Sequence, residues 1–358
     1  MVATVAPDDI VRTHAEASAN AREPLIVLEP LAEVLASAGL DAPDDLRATP
    51  IGEGHSNATF VLSTGVVLRR PPRGPLPPSA HDVLREARLL KALRGSAVRV
   101  PEVLAVCEDP GVIGAPFYIM ECVAGEVIAD RIPAGLDTPE ERARIADELI
   151  DALVELHRVD WTALDLEGFG KPSGYLERQL RRFGGLWEHN RTRELPEVEA
   201  VGAWLAANMP QSPPATIVHG DYRLGNTMFA SGSPARLVAI LDWEMATIGD
   251  PLADVGYMMI HWTRPGDQVG RFNLHSVTTL PGFPSRDELI ERYEQRSGRS
   301  MQALNWYVTL ALWKAVVFME GNYKRAIAGS TDDPYLKTFG EGVLELARRA
   351  AHVSQHGF

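Results

Sequence analysis

Long apolar runs are missing from this chain of 358 residues. No stretch approaches the roughly 18 consecutive apolar residues that a membrane-spanning helix requires, so no membrane partner is expected. The first residues lack a basic segment followed by an apolar core, so no secretory leader is expected either. Cysteine is scarce: Cys107 and Cys122 are the only two, each inside an apolar run. That usage excludes a disulfide scaffold. Both are read as small buried hydrophobes of a protein kept in a reducing, cytoplasmic setting. Positive charge is short as well, with 35 Lys and Arg against 48 Asp and Glu and a net charge of −13. Nucleic acids and anionic membranes call for a basic footprint, so neither is expected as a partner, although a local basic pocket for phosphates stays open. No internal repeat is present. What remains is an ordinary globular balance, 45% apolar and 23% charged, in a chain too long for one compact core and suited to two lobes.

The chemistry concentrates in residues 217–254, IVHGDYRLGNTMFASGSPARLVAILDWEMATIGDPLAD. Short apolar runs at 215–218, 227–229 and 237–241 predict strands. Asp221 and Asn226 are five apart, and Asp242 follows Asn226 by sixteen. The apolar flanks fix the backbone, and the turns throw the three polar groups to one edge. Two carboxylates and an amide gathered there suit Mg²⁺, which takes hard oxygen ligands. They also suit a hydroxyl that must lose a proton. Solvated loop polars after buried strands are the plain alternative.

Upstream, strands at 58–62 and 66–69 flank a Ser-Thr-Gly turn, a hairpin signature. Gly52 and Gly54 precede it. Such a loop lets backbone N–H groups approach phosphate oxygens, with Ser56 and Asn57 beside them, although an ordinary turn would read the same way. The proline-rich 71–78 is stiff and extended. A helix follows, opened by Ser79 or by His81 and Asp82, patterned by Leu84, Ala87, Leu90 and Leu93, and ended by Gly95; Glu86 lies on it. Strands at 103–106 and 117–120 come next. Beyond about residue 125 the composition turns helical. Thr138, Pro139 and Glu141 predict a capping box that opens a helix running to His157. Further helices are expected at 174–187, 196–208, 286–296, 302–328 and 335–351. Arg178, Arg181 and Arg182 form a basic run that reads first as a solvated face and second as a surface for an anionic substrate. The aromatics of 302–328 read as core. Residues 264–284 are loop-like, long enough for a lid or a substrate loop.

The spacing H-G-D-x-x-x-x-N followed by D-W-E resembles the protein-kinase set H-R-D-x-x-x-x-N and D-F-G. Gly220 stands where protein kinases carry Arg, and Trp243 and Glu244 where they carry Phe and Gly. Both departures resemble the aminoglycoside phosphotransferase family, small-molecule kinases that share the protein-kinase fold. That resemblance implies an α+β, bilobal, protein-kinase-like fold with an antiparallel N-lobe sheet carrying one helix and a mainly helical C-lobe. Residues 1–24, polar and alanine-rich, read as a loose arm; the resemblance implies a nucleotide-binding N-lobe over 25–121, a hinge at about 121–125, and a catalytic and substrate-binding C-lobe over 122–358. Asp221 is then the catalytic base, and Asn226 and Asp242 are Mg²⁺ ligands. Arg69 takes the place of the strand lysine, contacting the phosphates of ATP and pairing with Glu86. Arg70 is the alternative if the register slips by one. The backbone at Glu121 and Val123 meets the adenine edge, and Asp254 supports the catalytic loop. The words VLRRPP, SAHDVLRE, GAPFYIMECVAG and GNYKRA are similar to a subgroup also found fused to acyl-CoA dehydrogenase domains, and the kinase-like fold fills these 358 residues without such a domain. Members of that subgroup phosphorylate the hydroxyl of hydroxyacyl-CoA. The acceptor stays open between a hydroxyacyl thioester, an amino sugar and a choline-like alcohol. A silent nucleotide-binding module is the alternative from another class. Only eleven residues separate Asp242 from Asp254, too few for a protein kinase's activation loop. Oligomeric state and the choice of ATP over GTP are open.

Overall fold

In the computed structural model, residues 7–51, 57–74, 81–267, 276–329 and 334–358 are described. The chain divides into two compact units, residues 1–124 with 164–166, and residues 125–163 with 167–358.

After two short strands, β1 (Ile10–Val11) and β2 (Ile26–Val27), the first unit is built on a five-stranded antiparallel sheet of β3 (Ala48–Ile51), β4 (Ala58–Leu62), β5 (Val66–Arg70), β6 (Val103–Cys107) and β7 (Phe117–Glu121), in spatial order β3-β4-β5-β7-β6. Ser63 to Gly65 close the β4–β5 hairpin, with Gly65 at φ +80°, a backbone that only glycine adopts without strain. Phe60, Leu62, Leu68, Phe117 and Ile119 bury one face of the sheet together with Leu31 and Leu35. Those two leucines sit on the helix Leu28–Ser37, which follows directly on the short strand that Val27 closes. A second helix, Val83–Leu93, opens on Asp82, whose carboxylate accepts the Arg85 N–H at 3.0 Å.

The expected loose arm is structured from residue 7 onward. Ile10–Val11 pairs in parallel with Ile26–Val27. Thr13 and Glu16 form a reciprocal capping box at the head of His14–Ala19. Asp9 is buried and takes the guanidinium groups of Arg73 and, at 2.9 Å, Arg22. The alanine-rich composition hid a T-x-x-E signal that was there to be read.

Cys107 and Cys122 correct the sequence reading. Cys107 is only half-buried and Cys122 is exposed, and both are free thiols. Cys107 ends an edge strand, and Cys122 follows the last residue of β7, so the apolar run around it outlasts the buried part of the strand.

The second unit is mainly helical. Numbered with the helices already given (His14–Ala19 as α1, Leu28–Ser37 as α2, Val83–Leu93 as α3), it holds α4 (Pro139–Arg158), α5 (Tyr175–Asn190), α6 (Pro196–Ala207), α7 (Leu252–His261), α8 (Arg286–Ser297), α9 (Leu304–Ile327) and α10 (Phe339–His356). Thr138 caps α4 through the Glu141 N–H, but Glu141 does not return the bond. Its carboxylate accepts instead from the Ser233 hydroxyl at 2.8 Å and the Ala235 N–H at 2.5 Å, and those bonds lower its pKa. The aromatics of α9 are core, as expected: Trp306 and Trp313 donate their indole N–H groups to the Leu205 and Val198 carbonyls of α6. Lys324, near the end of α9, donates to the His189 carbonyl. The C-terminal helix starts later than expected, after the 3-10 turn Pro334–Thr338, and runs on to His356. Among the described residues, no helix is long and apolar enough to cross a membrane.

Candidate active site

Two antiparallel strand pairs set the central loop. Thr216–Val218 pairs with Thr247–Gly249, and Thr227–Phe229 pairs with Leu237–Ile240. The loop 219–226 therefore leaves one pair and enters the other, and Asp242 follows directly on the second. The bond from the Leu241 N–H to the Asn226 carbonyl, at 2.8 Å, ties the two polar segments together.

His219 organises the loop from inside. It is fully buried, with its ring 4.7 Å from that of Trp243 and edge-on to Tyr222. Its Nε2 faces the Leu241 carbonyl at 2.9 Å, and its Nδ1 faces the Asp221 N–H at 3.2 Å. A carbonyl only accepts and an amide N–H only donates. The ring therefore carries its proton on Nε2 and presents a bare Nδ1 to Asp221.

Asp254 holds the same loop from beneath. Its two carboxylate oxygens accept the His219 and Gly220 N–H groups, each at 2.7 Å. It also takes His157 Nε2 at 3.2 Å, while the Tyr293 hydroxyl meets His157 Nδ1 at 2.7 Å. Burial pulls the His157 pKa below its usual value, against the pull of Asp254. Two of these partners, His157 and His219, are buried, so removal of Asp254 strands them together. Asp254→Ala is expected to destabilise the protein by about 3–5 kcal/mol, the range for breaking a buried charged network. Urea unfolding measures it, and a loss under about 1 kcal/mol would contradict this account.

Gly220 explains one departure from the protein-kinase spacing. Its φ is +86°, and a Cβ there would lie 2.7 Å from the Met245 carbonyl oxygen. No arginine fits that backbone.

Asp221 and Asn226 meet directly. Asn226 Nδ2 donates to Asp221 Oδ2 at 2.7 Å and to the Asp221 carbonyl at 2.8 Å. Asp221 Oδ1 accepts no hydrogen bond and lies 3.4 Å from Arg223 Nε. The amide thus spends its donor on Asp221 and keeps Oδ1, an acceptor. Asp242 sits in the left-handed region at φ 63° and ψ 64°, a strained backbone for a residue with a side chain. An amide oxygen and a carboxylate oxygen are the hard donors that Mg²⁺ accepts, so these residues fit that ion.

Tyr257 was not singled out in the sequence. It lies on α7, and its hydroxyl interacts with the Asp221 carboxylate; burial first, and then that carboxylate, raise its pKa well above the usual value. The signal was its spacing: Tyr257 follows Asp254 by three residues on one helix, which places both on the same face.

In the first unit, the register resolves the two arginines. Arg69 pairs across β4–β5 with Thr59, donates to Glu86 at 3.0 Å and reaches the Thr59 hydroxyl at 3.3 Å. Arg70 points to the opposite face, as strand alternation requires. There it donates to the Leu25, Pro71 and Ile113 carbonyls, and burial lowers its pKa to about 10. Asn57 is buried, with its Oδ1 3.2 Å from His81 Nδ1. Gly52, Gly54 and Ser56 lie outside the described residues. The Glu121 N–H donates to the Glu102 carbonyl at 2.9 Å.

The family model "Phosphotransferase enzyme family" matches residues 47–307. Among curated proteins, the chain is similar to acyl-CoA dehydrogenase family member 10 of Mus musculus, 35% identical over 86% of this chain and 30% of that protein. It is also similar to member 11 of Homo sapiens, 33% identical over 90% of this chain and 42% of that protein. The chain therefore spans well under half the length of these curated relatives. Among solved structures, a candidate aminoglycoside phosphotransferase from Ralstonia eutropha aligns with a TM-score of 0.79 and 31% identity, over 91% of this chain and 98% of that one. A choline/ethanolamine kinase family protein from Mesorhizobium loti shares the fold at a TM-score of 0.54 and 16% identity, over 90% of this chain and 96% of that one.

Proposed function

The chain belongs to the phosphotransferase enzyme family, and on that premise we propose that it transfers the γ-phosphoryl group of ATP to the hydroxyl of a small molecule. The observation that carries this reading is the division of labour between Asp221 and Asn226. One amide fixes one carboxylate oxygen and leaves Asp221 Oδ1 for the incoming hydroxyl. Asp221 orients that hydroxyl and takes its proton. Asn226 Oδ1 and Asp242 hold Mg²⁺, which when bound offsets the charge gathering on the transferred group. Arg69, held by Glu86, faces the nucleotide phosphates together with the loop of Gly52, Gly54, Ser56 and Asn57. The backbone at Glu121 and Val123 receives the adenine. We take the division between the nucleotide-binding and acceptor-binding parts to fall at the 121–125 hinge. Such a reaction asks the protein for positioning and electrostatics more than covalent chemistry.

For the acceptor we propose a hydroxyacyl-CoA. Two things support it: the similarity to the acyl-CoA dehydrogenase-fused subgroup, and the acyl-CoA names of the 33–35% identical relatives. The arginine in place of the strand lysine favours a second reading, a silent nucleotide-binding module. The Arg69–Glu86 pair at 3.0 Å speaks against it, because the cation keeps the carboxylate partner that an active site needs. Calorimetric titration of ATP into the protein with and without magnesium decides between them. Saturable binding that needs magnesium is expected, and no binding under either condition would sink the phosphotransfer reading.

A further inference from the structure

The helical unit carries positive charge where the total of −13 gives no reason to expect it. Lys314, on α9, has its Nζ 4.8 Å from the centroid of the Phe183 ring. Arg182, on α5, has its Cζ 5.8 Å from the same centroid. Among the described residues, neither cation forms an ion pair or a hydrogen bond. Phe183 is buried. Phe318, one turn beyond Lys314, meets it edge-on at 5.1 Å and is nevertheless 42% exposed. Two cations and an open aromatic face thus surround one buried ring, and Lys314 lies within Coulombic reach of Asp221 and Asp254. A partly desolvated ammonium is costly to keep without a counter-charge in contact, and the ring faces return only part of that cost. An anion bound against this pair would supply a counter-charge in contact.

We infer that Lys314 and Arg182, over Phe183, form an anion subsite for the acceptor, so that the compound offering its hydroxyl to Asp221 carries an anionic group on an apolar chain lying along Phe318. The position of this subsite relative to the chemistry rests on the reading of Asp221 given above; the anion binding itself does not. Polycationic amino sugars and quaternary ammonium alcohols meet two repelling charges here. A carboxylate of a free hydroxy acid and the phosphates of a CoA thioester both supply the required charge.

Burial first, and then Arg182 on α5, lower the pKa of Lys314 to about 8, while Asp254 on α7 and Asp221 in the catalytic loop pull it upward. The ammonium is charged below that value and neutral above it. Anion affinity is therefore expected to fall as pH rises through about 8, and a flat profile between pH 7 and 9 contradicts the role of Lys314.

Calorimetry on the nucleotide-free protein tests the subsite directly, with a 4-hydroxy fatty acid, its CoA thioester, its neutral methyl ester and kanamycin as probes. The acid or the thioester is expected to bind at least about tenfold more tightly than the ester or kanamycin, a difference of about 1.4 kcal/mol. Binding of the acid alone identifies a carboxylate as the anion, and binding of the thioester alone identifies its phosphates. Lys314→Met is expected to cost the anion at least about tenfold and Lys314→Arg to restore most of it. Arg182→Gln, at an exposed site, gives a smaller loss in a protein whose fold is not at risk. Equal affinity for ester and anions, tighter kanamycin binding, no anion binding, or anion affinity unchanged in both Lys314→Met and Arg182→Gln overturns the inference. Failure of magnesium-dependent ATP binding would instead sink the phosphotransfer reading and leave the subsite standing on its own titration.

Discussion

Replacing Asp221 by asparagine is expected to leave Mg·ATP affinity near the wild-type value and to lower turnover by at least roughly 10²-fold, the lower end of what a positioned general base contributes. The substitution keeps the size of the side chain. It exchanges one acceptor oxygen for an NH₂ group that cannot take a proton. In the present structure Asp221 Oδ2 accepts from Asn226, and Oδ1 is the oxygen without a hydrogen bond. An asparagine would turn its carbonyl oxygen to Asn226 and present its amide to the acceptor hydroxyl, a donor facing a donor. Nothing in this change touches Asp242. Steady-state kinetics with a fixed acceptor separates the outcomes: a fall in kcat with little change in the KM for ATP supports the assignment, and near-normal turnover removes it.

Asp242→Ala has the second large expected effect, on binding rather than on turnover. With the carboxylate gone, Asn226 Oδ1 remains as a single neutral donor, and Mg²⁺ is held mainly by carboxylates together with the phosphates of its substrate. Magnesium-dependent nucleotide affinity is therefore expected to disappear. Residue 242 also sits at φ 63°, where alanine gains no relief, so the variant tests the carboxylate without releasing the backbone. Fluorescence anisotropy of a labelled ATP, with and without magnesium, reads it. An affinity equal to that of the wild type in magnesium would remove Asp242 from the metal site.

The strands around this site were legible because each is a short apolar run closed within two residues by a polar one, and period and punctuation agree there. The runs at 215–218, 227–229 and 237–241 appear as Thr216–Val218, Thr227–Phe229 and Leu237–Ile240. The choice between Arg69 and Arg70 could not be made from the sequence, since adjacent residues of one strand differ only in the face they take. Strand pairing decides it, and Arg70 turns out to anchor three backbone carbonyls.

What stayed hidden depends on tertiary contact. His219 reads as part of a motif, yet its two ring nitrogens bridge Leu241 and Asp221, segments about twenty residues apart. Lys314 reads as one charge on a helix of core aromatics. Only the packing of α9 against α5 sets it over Phe183. The cysteines misled because an apolar neighbourhood in sequence does not say where the strand ends.

Phosphorus NMR of a single reaction mixture tests the central claim most directly: wild-type protein, Mg·ATP and an excess of a hydroxyacyl-CoA. The γ-phosphate resonance of ATP is expected to decline while ADP and a new phosphomonoester resonance grow in equal amounts. ADP accompanied only by inorganic phosphate, or ATP left intact with that acceptor and with every other hydroxyl compound offered, would contradict it.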